Sequence, residues 1–166
     1  MSTWRLQIAK AEKESILSFN ARILPQIGGP MMRFGKVAQT AVAAMSLLAE
    51  RYDGGKTKLN SADIAAARDL PKPVVAKVLT VLSSVGLVDG VRGPGGGYWL
   101  KREPSEISLL DIVREFERAD AGIMCPFGPT WCGNGEPCPM HDSLTRIAAE
   151  WEAYLSTTRL AVFRVE

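Results

Sequence analysis

The chain has 166 residues, 46% of them hydrophobic and 23% charged, and a net charge of +2. That length corresponds to about one domain and buries a core without disulfide staples. So small a net charge neither requires nor excludes a nucleic-acid partner, and its distribution along the chain has to decide. No apolar run approaches the roughly 20 residues that cross a bilayer. Residues 1–20 scatter their charges and lack the apolar core of a signal peptide. The expectation is therefore a cytoplasmic protein with no membrane partner. Thiols stay reduced there, so three cysteines, an odd number, read as ligands or reactive groups and not as a disulfide framework.

Residues 1–31 read as an appendage. Trp4, Ile8, Ala11, Ser15 and Phe19 fall roughly on helical spacing, and Pro25, Gly28, Gly29 and Pro30 then break the chain. This segment is either an upstream start or loose arm, or a helix that packs on a partner subunit. Patterned sequence begins at Met32. Residues 34–51 predict a helix with Val37, Ala41, Ala44, Met45, Leu48 and Ala49 on its apolar face, ended by Asp53, Gly54 and Gly55. Asn60 or Ser61 caps a second helix over about 61–68 that buries Ile64 and Ala65. Leu70, Pro71, Lys72 and Pro73 open a third helix running to about Ser84. Its inner face is Val75, Val78, Leu79 and Leu82, and Gly86 closes it.

Two short helices joined by a tight turn make a helix–turn–helix, a weak signal alone. The next residues sharpen it. Leu87 and Val88 start a strand, residues 92–97 turn the chain with four glycines, and Tyr98, Trp99 and Leu100 return as a second strand. A glycine-tipped hairpin after a recognition helix is a wing. The fold expected for residues 32–104 is a mainly α winged helix–turn–helix with one small β-hairpin. Between Lys56 and Arg102 basic residues dominate: Lys56, Lys58, Arg68, Lys72, Lys77, Arg92, Lys101 and Arg102 against Asp63, Asp69 and Asp89. The acids collect later, so one end of the molecule suits a DNA backbone.

On the third helix Lys72, Pro73, Ala76, Lys77 and Thr80 point outward, toward a major groove. Ala76 and Thr80 suit thymine methyl groups, and Lys77 reaches a guanine or a phosphate. Arg92 suits a minor groove. Gly95, Gly96 and Gly97 let wing backbone come close to a sugar–phosphate wall and take positive φ, and Gly93 belongs to the same DNA-facing tip. A nucleotide-phosphate loop is the poorer reading, because this loop leads into a strand and no Gly-Lys-Ser/Thr comes after it.

Ser108 caps a predicted helix over about 109–118. Residues 121–141 then hold every cysteine, Cys125, Cys132 and Cys138, and the only histidine, His141, among prolines and glycines. Thiolates and imidazole in an irregular loop bind zinc or an iron–sulfur cluster. The spacing C-x6-C-x5-C-x2-H fits the paired knuckles of structural zinc poorly. A metal-free thiol switch is a further alternative. An enzyme using one cysteine with one histidine lacks any supporting carboxylate or pocket pattern. After His141 a helix to about 160 carries a seam of Leu144, Ile147, Trp151, Tyr154, Leu155 and Thr158 at three- and four-residue steps, as a dimerisation helix would. Residues 105–166 are thus a linker helix, a ligand loop and a dimer helix.

The string Arg92-Gly93-Pro94-Gly95-Gly96-Gly97-Tyr98 after a Gly-Leu-Val helix exit resembles the wing of Rrf2-type bacterial transcription regulators. Met32-Arg33-Phe34, with Ala41-Val42 and Ala44-Met45 behind it, is similar to that family's start. The likeness spans about 32–160. It implies a homodimer on double-stranded operator DNA, sensing redox state, nitric oxide or iron through an iron–sulfur cluster. It implies Cys125, Cys132, Cys138 and His141 as ligands of a 2Fe–2S cluster. A 4Fe–4S cluster with an acidic ligand from the first helix is the lesser alternative, since the matching position here is Gln39. The first spacing, six residues where the family pattern has five, departs from that pattern.

Overall fold

The computed structural model describes residues 35–117 and 137–164. They belong to one compact unit that starts at Phe34. Helix α1 is Lys36–Glu50, α2 is Ser61–Ala67 and α3 is Lys72–Ser84. Strands β1 (Val88–Val91) and β2 (Gly97–Leu100) form an antiparallel hairpin with Val88 opposite Leu100 and Val91 opposite Gly97. A 3₁₀ turn at Pro104–Glu106 leads to α4, Leu109–Val113. Helix α5, His141–Thr157, and a 3₁₀ turn at Leu160–Phe163 complete the described elements. The molecule is a mainly α winged helix–turn–helix, as its pattern predicts. Among the described residues no helix is long and apolar enough to cross a membrane.

Helix α1 is buried nearly all round, beyond the single face that periodicity reads. Ala38, Thr40, Ser46 and Leu47 are buried, whereas Val37 is 45% exposed. The cause is that α1 packs against α2, α3, α4, β2 and the Leu160–Phe163 turn. Its buried hydroxyls are satisfied inside the helix: Thr40 donates to the Lys36 carbonyl and Ser46 to the Ala43 carbonyl, both at 2.9 Å. Gly35 offers no capping side chain, and the carboxylate of Glu117 accepts its N–H at 2.6 Å instead. Past the C-terminus, the Asp53 carboxylate accepts from the backbone of Lys56 and Thr57 and from the Thr57 hydroxyl. The two backbone bonds, each at 2.8 Å, fix the turn into α2.

Asn60 is the cap of α2, accepting from the N–H groups of Ala62 and Asp63. Arg68 ties α2 back to α1, donating to the Ala43 carbonyl and the Ser46 hydroxyl and pairing with Glu50. The turn into α3 places Asp69 at φ +50°, a left-handed position that aspartate tolerates. Gly86, at φ +75°, ends α3, and the Leu87 N–H reaches back to the Leu82 carbonyl at 3.0 Å. The first wing strand begins at Val88, one residue later than its sequence suggests.

Two helices are shorter than their patterns predict. Beyond Val113 the backbone tightens into three-residue hydrogen bonds, Glu115 to Ile112 and Phe116 to Val113, so α4 stops short of residue 118. Helix α5 stops at Thr157, short of 160, because the chain turns back toward α4. There the Thr158 carbonyl accepts the Leu109 N–H, and the Leu160 N–H donates to the Ile107 carbonyl, both at 2.9 Å. One core serves the whole unit: Met45, Ile64, Leu79 and Leu82 from the helix–turn–helix meet Ile107, Ile112 and Leu160, all fully buried.

Candidate nucleic-acid interface and ligand segment

Helix α3 divides cleanly. Val75, Val78, Leu79 and Leu82 are fully buried, and Lys72, Pro73, Lys77 and Thr80 are exposed, with Ala76 half-buried between them. The Thr80 hydroxyl donates to the Ala76 carbonyl at 2.9 Å. A cleft of about 580 Å³ runs between this helix and the wing. Thr80, Ser83 and Ser84 line it on one side, Arg92, Gly93, Gly96 and Gly97 on the other, with Asn60 and Ser61 closing one end. Thr80 and the predicted wing residues Arg92, Gly93, Gly96 and Gly97 therefore share one groove, while Lys72, Pro73, Ala76, Lys77 and Gly95 do not line it. Sequence reasoning passed over Asn60, Ser61, Ser83, Ser84 and Tyr98, although the hydroxyls three and four positions after Thr80 lie on its helical face.

The wing glycines serve two purposes, only one of them foreseen. Gly93 and Gly95 adopt φ of +103° and +73°, which L side chains avoid. Gly96 and Gly97 have no such backbone. A Cβ at Gly96 would lie 2.2 Å from the Val91 carbonyl oxygen, and one at Gly97 would lie 2.9 Å from the Leu59 backbone. These two glycines are required by the wing's own packing. Gly97 lets β2 approach Leu59, whose N–H and carbonyl bond to Tyr98 at 3.0 and 2.8 Å. That bridge seats the wing on the entry to α2.

Charge in this half is less available than the sequence suggests. Arg68 is engaged with Glu50, Ser46 and Ala43 and is part-buried, so it braces the helix–turn–helix. Lys58 lies over the Trp99 ring, 5.3 Å from its centre, on the β2 residue next to Tyr98. The Asp53 carboxyl is held below its ordinary value by the Thr57 backbone and hydroxyl, burial opposing, with Lys56 adding to the effect. Asp111 is also held low. Burial pushes it up, and the Ser108 backbone and side-chain hydrogen bonds, with Arg102 and Arg159, outweigh that push. Ser108 and Asp111 form a reciprocal capping box at the start of α4.

Of the four candidate ligands, Cys138 and His141 are described; Cys125 and Cys132 lie outside the described residues, as do Met32, Arg33 and Phe34. Cys138 is buried, 8% exposed, and is in no disulfide. His141 is the first residue of α5, and its N–H donates to the Cys138 carbonyl at 2.9 Å. A single turn thus joins the two. A buried cysteine three residues before a helix-opening histidine suits a soft or borderline metal, and the donor set of three cysteines and one histidine suits an iron–sulfur cluster. Among the described residues no three ligating side chains come together.

The seam of α5 is divided between this chain's core and its surface. Ile147 and Tyr154 are each 48% exposed, and Trp151 stacks on Tyr154 with ring centres 5.5 Å apart. Leu144 and Trp151 are half-buried. Leu155 is 3% exposed within this chain, and Thr158 lies past the helix end with its carbonyl taken by Leu109. Leu155 thus packs within this chain, while Thr158 is half-buried beyond the helix end.

The family model described as "Iron-dependent Transcriptional regulator", Rrf2, matches residues 35–164. An HTH-type transcriptional regulator of Aquifex aeolicus is 30% identical over 131 residues, covering 78% of this chain and 89% of that protein. The solved IscR of T. potens matches with a TM-score of 0.62 at 26% identity, over 82% of this chain and 86% of that one. CymR, titled the global cysteine regulator of B. subtilis, shares the fold with a TM-score of 0.66 at 24% identity, over 81% of this chain and all of that one. The chain belongs to the Rrf2 family of winged helix–turn–helix, DNA-binding transcriptional regulators, which are not enzymes.

Proposed function

We propose that this chain is a homodimeric regulator whose affinity for duplex operator DNA is set by an iron–sulfur cluster, 2Fe–2S before 4Fe–4S, held by Cys125, Cys132, Cys138 and His141. In this reading Lys72, Pro73, Ala76, Lys77 and Thr80 face the major groove. Arg92, Gly93 and Gly95 meet the adjacent backbone and minor groove, with Gly96 and Gly97 shaping the wing that carries them. The strip of exposed Ile147 and Tyr154 with half-buried Trp151 on α5 faces the second copy.

The observation that carries the reading is how the ligand segment is tied at its two ends. At one end Glu117 holds the Gly35 N–H and so the start of α1. At the other, Cys138 and His141 form the turn that opens α5, whose Leu155 is buried; Leu160, just past that helix, lies beneath α1. When bound, the group supplies a centre whose charge changes with redox state and which reacts with nitric oxide. Ordering or releasing Cys138 and His141 acts on the first turn of α5 and, through Glu117, on α1. A dimer presents two reading helices whose separation must match its half-sites, so a small change in α5 alters affinity. The iron-dependent description of the family and the likeness to an IscR support the same assignment.

Anaerobic purification with iron, zinc and acid-labile sulfide analysis tests it. The expected result is a coloured protein with iron and sulfide in equal amounts, lost on Cys138→Ala. Zinc without iron makes the loop structural. A colourless protein with reversible disulfides makes it a thiol switch.

A further inference from the structure

Helix α3 offers DNA a restricted set of chemistries. Its sequence, KPVVAKVLTVLSS, contains no arginine, asparagine, glutamine, aspartate or glutamate. The forked side chains that grip guanine through arginine, or adenine through asparagine and glutamine, are absent. Of the exposed residues, Lys72 and Lys77 are single charges on long stems, Pro73 has no polar side-chain atom, and the Ser84 hydroxyl proton is engaged with the Val81 carbonyl at 2.7 Å. Ala76, half-buried, contributes a methyl group. Thr80 is exposed, and its hydroxyl proton is engaged with the Ala76 carbonyl at 2.9 Å. That bond fixes the rotamer and leaves the γ-methyl and the oxygen lone pairs as what Thr80 presents.

Ala76 and Thr80 stand one helical turn apart, about 6 Å along the axis. Base pairs stack about 3.4 Å apart, so the two side chains reach edges within two base steps of one another. Thymine is the base whose major-groove edge carries a methyl group. We propose that Ala76 and Thr80 recognise the C5-methyl groups of two thymines, at most two base steps apart, and that this apolar contact determines the half-site sequence. Lys72, Lys77 and Arg92 then supply backbone affinity without sequence information. The inference rests on α3 being the helix that enters the major groove.

The test starts with duplexes enriched from a random pool by the full-length protein at one salt concentration. The best duplex is resynthesised with deoxyuridine in place of each thymidine in turn, which removes one methyl and keeps every base pair. Two positions in each half-site should lose affinity about fourfold each, the effect of one methyl-sized apolar contact. Thr80→Ser keeps the hydroxyl and removes the methyl. It should abolish the deoxyuridine effect at one of the two positions and leave the other intact, with the salt dependence unchanged.

The inference is overturned if no deoxyuridine substitution changes affinity while 7-deazaguanine substitution does, since Lys77 would then read guanine. If no duplex is enriched, the placement of α3 in DNA falls, and this inference with it. The deoxyuridine scan on unaltered protein requires no variant to fold.

Discussion

Replacing Gly96 with alanine separates the wing's own packing from its contact with DNA. The new methyl would lie 2.2 Å from the Val91 carbonyl oxygen and 3.0 Å from that of Gly93. Ordinary carbon–oxygen approaches begin near 3.3 Å, so the wing must open by about 1 Å. Both obstructing atoms are backbone, and no side-chain rotation relieves them. The shift strains the Gly96 to Gly93 hydrogen bond at the tip, 2.9 Å, and the pairing of Val91 with Gly97. Overpacking of this kind costs about 1–3 kcal/mol. A two-stranded hairpin is marginal by itself, so the damage stays local and Met45, Leu79 and Ile112 keep their core. At about 2–4 °C per kcal/mol for a chain of this size, the melting temperature falls by roughly 10 °C at most. DNA affinity should fall roughly tenfold to a hundredfold, the worth of a displaced charged contact at Arg92. Gly95→Asn is the control for stability alone, because Gly95 itself meets DNA in the proposed reading. Its φ of +73° suits asparagine, and nothing lies within 4 Å of an added Cβ, so the cost is about 1 kcal/mol or less. Thermal melts with fluorescence anisotropy on labelled DNA check both. The reasoning fails if Gly96→Ala melts and binds like the parent, or if Gly95→Asn lowers the melting temperature as much as Gly96→Ala does.

Arg68→Ala should lower stability by about 1–3 kcal/mol, because it removes charged hydrogen bonds between α2 and α1. The salt dependence of DNA binding should not change. A slope reduced by about one would make Arg68 a phosphate contact after all. Leu160→Ala empties a fully buried site beneath α1 and should cost about 2–5 kcal/mol in urea melts; a loss under about 1 kcal/mol would remove Leu160 from the core. The Asp111 carboxyl is held below its ordinary value in the folded chain. Its contribution to stability is therefore complete above the unfolded value near 3.8 and is lost as pH falls through the lower, folded value. Melts at a series of acid pH values should show Asp111→Asn losing stability less steeply than the parent below about pH 4; parallel curves would discount the capping box.

The helix–turn–helix and its wing were legible because each rests on local signals. Asn60 before α2, Pro73 in the first turn of α3, Gly86 after it and the glycine-rich tip each act within a few residues. The features that were not legible all involve contacts made across the chain. Val37 looked apolar and inward on a helical wheel, but α1 has neighbours on nearly every side, and helical periodicity cannot count neighbours. Arg68 looked like part of a basic face until Glu50 and Ser46, on another helix, claimed it. Gly96 and Gly97 read as an adaptation to DNA, and the structure adds a second constraint, a carbonyl on the opposite strand and the Leu59 backbone. Leu155 and Thr158 fit a seam by spacing alone, and spacing shows neither that Leu155 packs within its own chain nor that α5 ends before Thr158. At the ligand segment, Cys138 and His141 were found by residue type and proximity alone. The cap that Glu117 places on Gly35, joining that segment's start to α1, spans 82 positions and left no local trace.

The central claim is that the ligand segment controls the DNA reader. The most direct measurement is the affinity of one anaerobic preparation for its selected duplex, before and after its metal is removed by a chelator, at fixed salt. A change of tenfold or more in either direction, absent in Cys138→Ala, is the predicted result. Identical affinities for the metal-loaded and metal-free protein would contradict it.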